Sequence, residues 1–127
     1  MTPKQTIESV YAAFNRGDIP LIVGLVAPNA VWRQSKMLPW GGNYHGPSGA
    51  AEFFTKLDAA AQTTGFAPRE SVEAGNEVYS FGTYDCTIRA TGKPATMGWM
   101  FRWRVENGKI TMFDSYVDSA VITAAMH

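Results

Sequence analysis

The sequence predicts an α+β fold, and three observations carry that prediction. Apolar residues at helical spacing are confined to the first half of the chain. The second half holds four strand-like segments separated by turn signals. One of those segments alternates strictly between two faces. At 127 residues the chain fits a single domain, 1–127. A domain of that size buries roughly two-thirds of its unfolded surface, enough for a core without staples. With 46% hydrophobic and 17% charged residues, the composition excludes a disordered chain.

The helices come first. Ile7, Val10, Tyr11 and Phe14 fall at i, i+3, i+4 and i+7 and form one apolar stripe. Thr2 supplies an N-cap and Pro3 the first helical position, while Asn15-Arg16-Gly17-Asp18 stops the helix. Asp18 is placed to cap a second, short helix with Leu21, Ile22, Leu25 and Val26 apolar, ended by Pro28-Asn29. Ala30–Gln34 reads as a short strand. A loop rich in turn formers follows, with Pro39, Gly41, Gly42, Asn43, Gly46 and Pro47. A third helix runs from about Pro47 to Gln62, with Ala50, Phe53, Phe54, Leu57 and Ala61 on one face, and Thr63-Thr64-Gly65 terminates it.

The remainder reads as sheet, with strands near 66–74, 77–90, 95–105 and 109–118. The breaks are Gly75-Asn76, Thr91-Gly92-Lys93-Pro94 and Glu106-Asn107-Gly108, the last two being hairpin signals. In the third strand Ala95, Met97, Trp99, Phe101, Trp103 and Val105 share one face. Thr96, Gly98, Met100, Arg102 and Arg104 share the other. The first of these faces suits the helices. The second is mixed and suits solvent or a second copy of the chain, so a homodimer is expected, cyclic dimers being the commonest oligomers.

Eleven basic and eleven acidic residues cancel, which excludes the electrostatic footprint of a nucleic-acid or anionic-membrane partner. No apolar run approaches the ~18 residues a membrane span needs, and no apolar signal core follows Met1–Gln5. A soluble, cytoplasmic protein is expected. The only histidines, His45 and His127, give no metal-ligand spacing, and Cys86 stands alone, so neither a metal nor a cofactor is expected. No phosphate-binding glycine loop or nucleophile elbow occurs. His45 reads either as a loop residue bonded to backbone or as a proton carrier near neutral pH. Cys86 reads as a small buried hydrophobe. Trp99, Phe101 and Trp103 suit a solid core or the lining of an apolar pocket equally. Asp114 and Asp118 lie in a last strand whose periodicity leaves their faces open. Solvation, or pairing with Arg102 and Arg104, is the plain alternative to chemistry.

Four stretches together resemble a known group. They are Val10–Asp18 with Ala30-Val31-Trp32, then Tyr44-His45-Gly46-Pro47-Ser48-Gly49-Ala50-Ala51-Glu52-Phe53-Phe54, then Asn107–Asp118. Nearly the whole chain is similar to ketosteroid-isomerase-related, SnoaL-like proteins of the nuclear transport factor 2-like (cystatin-like) superfamily. The resemblance implies a cone: three N-terminal helices packed on a curved, mostly antiparallel sheet, with an apolar cavity open at one end. It implies a cofactor-independent isomerase, cyclase or lyase, often a dimer, although the same fold carries unrelated functions.

Carried over by position, the resemblance puts Val10 and Phe101 where the steroid isomerase has its oxyanion donors, and Gln34 where it has its base. A neutral amide cannot take the substrate's α-proton as a carboxylate does. Where limonene epoxide hydrolase has its Asp-Arg-Asp set, this chain has Tyr84, Gly82 and Ser115. Trp32 replaces that enzyme's tyrosine, and Gln34 keeps an amide like its asparagine. Both mechanisms are therefore disfavoured, although Asp85 and Asp114 are each one residue away and a register shift of one, which flips strand faces, would reverse the reading.

The implied inward set is Trp32, Gln34, Tyr84, Trp99, Phe101, Phe113 and Ser115. Gln34 and Tyr84 would act as oxyanion donors, with His45, Asp114 or water moving the proton. Trp32, Trp99, Phe101, Phe113 and Ser115 would bind a small apolar molecule. A non-catalytic binding protein for an apolar metabolite, and a dimer with a solid interior, remain the alternatives.

Overall fold

The computed structural model describes residues 1–127. Helix α1 (Pro3–Asn15) begins where the sequence places it. The Thr2 hydroxyl accepts from the Gln5 amide while the Gln5 side chain accepts from the Thr2 amide, a reciprocal cap with Pro3 in the first turn. Helix α2 (Ile19–Gly24) is capped by Asp18, whose carboxylate accepts from the Leu21 amide. It ends four residues before Pro28, and strand β1 (Val26–Gln34) takes up Pro28 and Asn29 instead. Those two residues fall where the β1 register shifts, between Val26 and Val31, and both are exposed. A proline is tolerated in a strand at such an irregularity, where no ladder N–H is required.

The expected loop contains a short strand, β2 (Gly42–His45), antiparallel to β1. Helix α3 (Gly46–Ala60) then runs directly into strand β3 (Ala61–Ala74). The sequence extends that helix to Gln62 and reads 63–65 as a stop. Instead Ala61 is already extended, at φ −140° and ψ 137°, and pairs with Ile88. Two β-branched threonines and a long partner strand outweigh helix propensity here, and Gly65 marks a register shift rather than a terminus. Strands β4 (Glu77–Ile88), β5 (Pro94–Glu106) and β6 (Lys109–Val117) follow, and a short helix, α4 (Ser119–Ala125), unforeseen in the sequence, closes the chain.

The six strands form one unclosed sheet in the order β2-β1-β6-β5-β4-β3. Every pairing is antiparallel except β1 with β6. Bulges in β1, β3 and β6 bend the sheet around the helices. No helix is long and apolar enough to cross a membrane.

Side chains alternate between the two faces. The inner face carries Trp32, Val78, Trp99, Trp103 and Phe113, all buried against the helices. The outer face carries an ionic cluster in which Glu77 accepts from Arg102 at 3.0 Å and from Arg104 at 2.8 Å. Those donors, together with the Tyr79 hydroxyl, hold the Glu77 carboxyl down at about 2. Beside the cluster, Phe81, Met100 and Tyr116 form one row across β4, β5 and β6 and remain 44%, 54% and 60% exposed.

Candidate functional site

Between the inner sheet face and helices α1 and α3 lies a cavity of about 80 Å³. Seventeen of its nineteen lining residues are hydrophobic, and none is Asp, Glu, Lys, Arg or His. Trp32, Gln34, Tyr84, Trp99, Phe101, Phe113 and Ser115 all line it. Strand register explains why they converge. Phe113 sits between Trp32 on β1 and Trp103 on β5, and Ser115 lies opposite Phe101. Gln34 stands one alternation beyond Trp32, on the same side as Ser115.

The rings pack against each other more closely than an open pocket would need. Trp99 stacks on Phe101 with centroids 4.0 Å apart, and Trp103 stacks on Phe113 at 3.9 Å. An engineered apolar cavity of ~150 Å³ holds benzene. The present hollow is about half that, so even a single-ring occupant enters only if lining side chains swing. Phe14, Phe54, Phe66 and Phe101 are the partly exposed rings of the lining and so have the most room to do so.

The polar groups divide into two sets. One set is satisfied within the protein. The Tyr11 hydroxyl is hydrogen-bonded to Ser80 and accepts from the Trp103 indole at 2.9 Å. Tyr84 shares a 2.7 Å hydrogen bond with Thr63, in which either hydroxyl can donate. Burial pushes both phenols up to about 12, so both stay neutral near pH 7. The second set consists of Trp32 Nε1, Gln34 Nε2, Trp99 Nε1 and Ser115 Oγ. These atoms are buried and find no hydrogen-bond partner in the protein.

Two sequence-derived candidates lie elsewhere. His45 is exposed at the start of α3, where its side chain makes no cap bond, and it does not line the cavity. Asp114 is buried but faces outward, opposite Arg33 and Arg102 in the sheet and 3.6 Å from the Arg33 guanidinium. Asp85 also faces outward and accepts from Thr96 at 2.6 Å. Strand parity therefore keeps both acids off the cavity wall, and His45 is not among the lining residues either. Tyr11 and Trp40 are lining residues the sequence reading did not single out. Tyr11 belongs to the apolar stripe of α1, so its hydroxyl carried no separate signal. Trp40 sits in a segment without periodicity and reaches the site because the Tyr44 hydroxyl donates to its carbonyl.

Residues 7–113 match the model of the SnoaL-like domain. No curated protein matches the chain. Among solved structures, a nuclear transport factor 2-like protein of Burkholderia thailandensis is 29% identical, with 100% of this chain and 98% of that one covered and a TM-score of 0.94. A nuclear transport factor 2-like protein of Burkholderia pseudomallei is 27% identical over 98% of this chain and 96% of its own, with a TM-score of 0.89. TerC, co-crystallised with polyporic acid, is 25% identical over 98% and 97%, with a TM-score of 0.83.

Proposed function

Because the chain belongs to the SnoaL-like domain family, we propose that it is a cofactor-independent enzyme acting on a small, uncharged ring carbonyl compound in the aromatic cavity. The observation that carries this reading is the buried, unpartnered amide of Gln34 in a lining free of ionisable acids and bases. A preorganised neutral donor in a water-poor site is suited to negative charge developing on a carbonyl oxygen, as in enolisation, cyclisation or elimination. Tyr84 is the second donor. With Thr63 donating to its oxygen, the phenol proton is free for the substrate, and a phenol held at about 12 donates without ionising. Ser115 orients the ring, and Trp32, Trp99, Phe101 and Phe113 bind its faces. His45 and Asp114 have no part in the step, so a hydroxide or water from solvent takes the α-proton while Gln34 and Tyr84 hold the enolate oxygen. Polyporic acid in TerC supports an oxygenated ring compound as the occupant.

The test is exchange of the α-protons of 2-tetralone in deuterium oxide, followed by NMR. The protein is expected to accelerate exchange saturably, and Gln34→Ala is expected to lose about 100-fold of that acceleration. If Gln34→Ala and Tyr84→Phe both leave the rate unchanged, the donor assignment is wrong. Saturable binding without acceleration favours the second reading, a binding protein, which the lack of a carboxylate or histidine in the lining supports.

The homodimer belongs to the same reading. The exposed row Phe81, Met100 and Tyr116 is an apolar strip on the outer sheet face suited to a second copy of the chain. Sedimentation at micromolar concentration is expected to give a dimer, and monomer alone would reject it.

A further inference from the structure

We propose that the indole N–H groups of Trp32 and Trp99 are hydrogen-bond donors to the occupant, and that the cavity therefore selects a neutral ring bearing two acceptor oxygens over a hydrocarbon or an amine. The proposal rests on the cavity being the binding site.

Of the two other indoles in the lining, that of Trp103 is committed, and the Tyr11 and Tyr84 hydroxyls each have a protein partner already. The Trp103 indole donates to Tyr11, Tyr11 is bonded to Ser80, and Tyr84 to Thr63. Among fully buried side-chain atoms, only the indole nitrogens of Trp32 and Trp99, the amide nitrogen of Gln34 and the hydroxyl of Ser115 lack partners, and all four side chains line the same cavity. An amide can present either end and a hydroxyl can donate or accept. An indole nitrogen can only donate, so the direction of these two bonds is fixed by chemistry. Trp32 and Trp99 are 1% and 3% exposed, so bulk water does not satisfy them.

Their placement points to two acceptors. Trp99 stacks on Phe101, Phe101 meets Phe113 edge-on at 4.8 Å, and Phe113 meets Trp32 edge-on at 5.0 Å. Two rings thus stand between the two indoles, which suits oxygens on opposite sides of one ring. An ammonium ion would find no counter-charge in the lining, and neither indole N–H can accept from it.

Cyclohexane, cyclohexanone, cyclohexane-1,4-dione and cyclohexylamine form a size-matched series for the test. A wholly apolar cavity prefers cyclohexane, because each carbonyl must give up water. The proposed cavity reverses that order, with the dione binding roughly tenfold tighter than cyclohexane and the amine weakest. In ¹H–¹⁵N spectra of the intact protein, with indole resonances assigned by single Trp→Phe variants, the dione should move the Trp32 and Trp99 Nε1–H signals downfield. Trp103, already bonded to Tyr11, should stay. A dione that binds no tighter than cyclohexane, or that leaves both signals in place, overturns the proposal while leaving the cavity as a binding site. Failure of all four compounds to bind overturns the cavity reading as well.

Discussion

Trp103→Ala is expected to cost about 3–5 kcal/mol of folding stability, the upper range for a buried aromatic truncation. Of a typical total of ~5–15 kcal/mol, that is a large share. The ring is 2% exposed. It stacks on Phe113 at 3.9 Å and 9°, and meets Trp32 and Phe101 edge-on at 5.8 Å and 6.2 Å. Each of those rings is held in turn by another strand or helix, so none can collapse into the space without leaving its own partners. The hydrogen bond to Tyr11 is the smaller part of the cost. Trp103→Phe removes the indole N–H but keeps a ring, and Tyr11 retains Ser80, so that variant is expected to cost only about 1–2 kcal/mol. Urea denaturation of the two variants separates packing from hydrogen bonding. Equal losses in both would show that the ring stack contributes little.

The difference between these variants also bears on what the sequence could reveal. Strict alternation in Ala95–Val105 told which side chains of β5 point inward, because the strand period is two and one face is buried. Thr2, Pro3 and Asp18 marked helix starts because capping chemistry is local. Pro28 and Asn29 misled because a bulge admits residues that ordinarily break strands, and the bulge exists only through pairing with β6. Ala61–Gly65 misled for the same reason: its partner, the end of β4, lies more than twenty residues away. In the site, position-by-position likeness to the family favoured Tyr84 over Asp85 and Ser115 over Asp114 but left a register shift of one open. The strand parity itself is visible only in space, where Asp85 meets Thr96 and Asp114 meets Arg33 on the outer face. His45 failed as a candidate because neighbourhood in sequence to α3 does not bring a side chain to the wall of a cavity built from alternate strand positions.

Gly82→Ala is expected to be severely destabilising. A Cβ there would lie 2.3 Å from the Ala67 carbonyl oxygen, 2.6 Å from the Trp99 ring and 2.9 Å from the Pro68 Cα. Two of these three are backbone atoms of β3, which pairs with β4 through Pro68 and Gly82. Relief therefore requires one strand to move away from the other, beyond the ordinary overpacking cost of about 1–3 kcal/mol. A fall in Tm of roughly 10 °C or more is expected for a chain of this length. Adding Trp99→Leu removes the ring contact and leaves the carbonyl contact, so the double variant should recover only in part. A Gly82→Ala protein that melts with the parent would show that β3 yields easily. The position is the one that resemblance to limonene epoxide hydrolase assigns to an arginine. With Trp99 and the β3 backbone already occupying the space, no larger side chain can be installed there by substitution alone. Strand spacing thus excludes an arginine at this position.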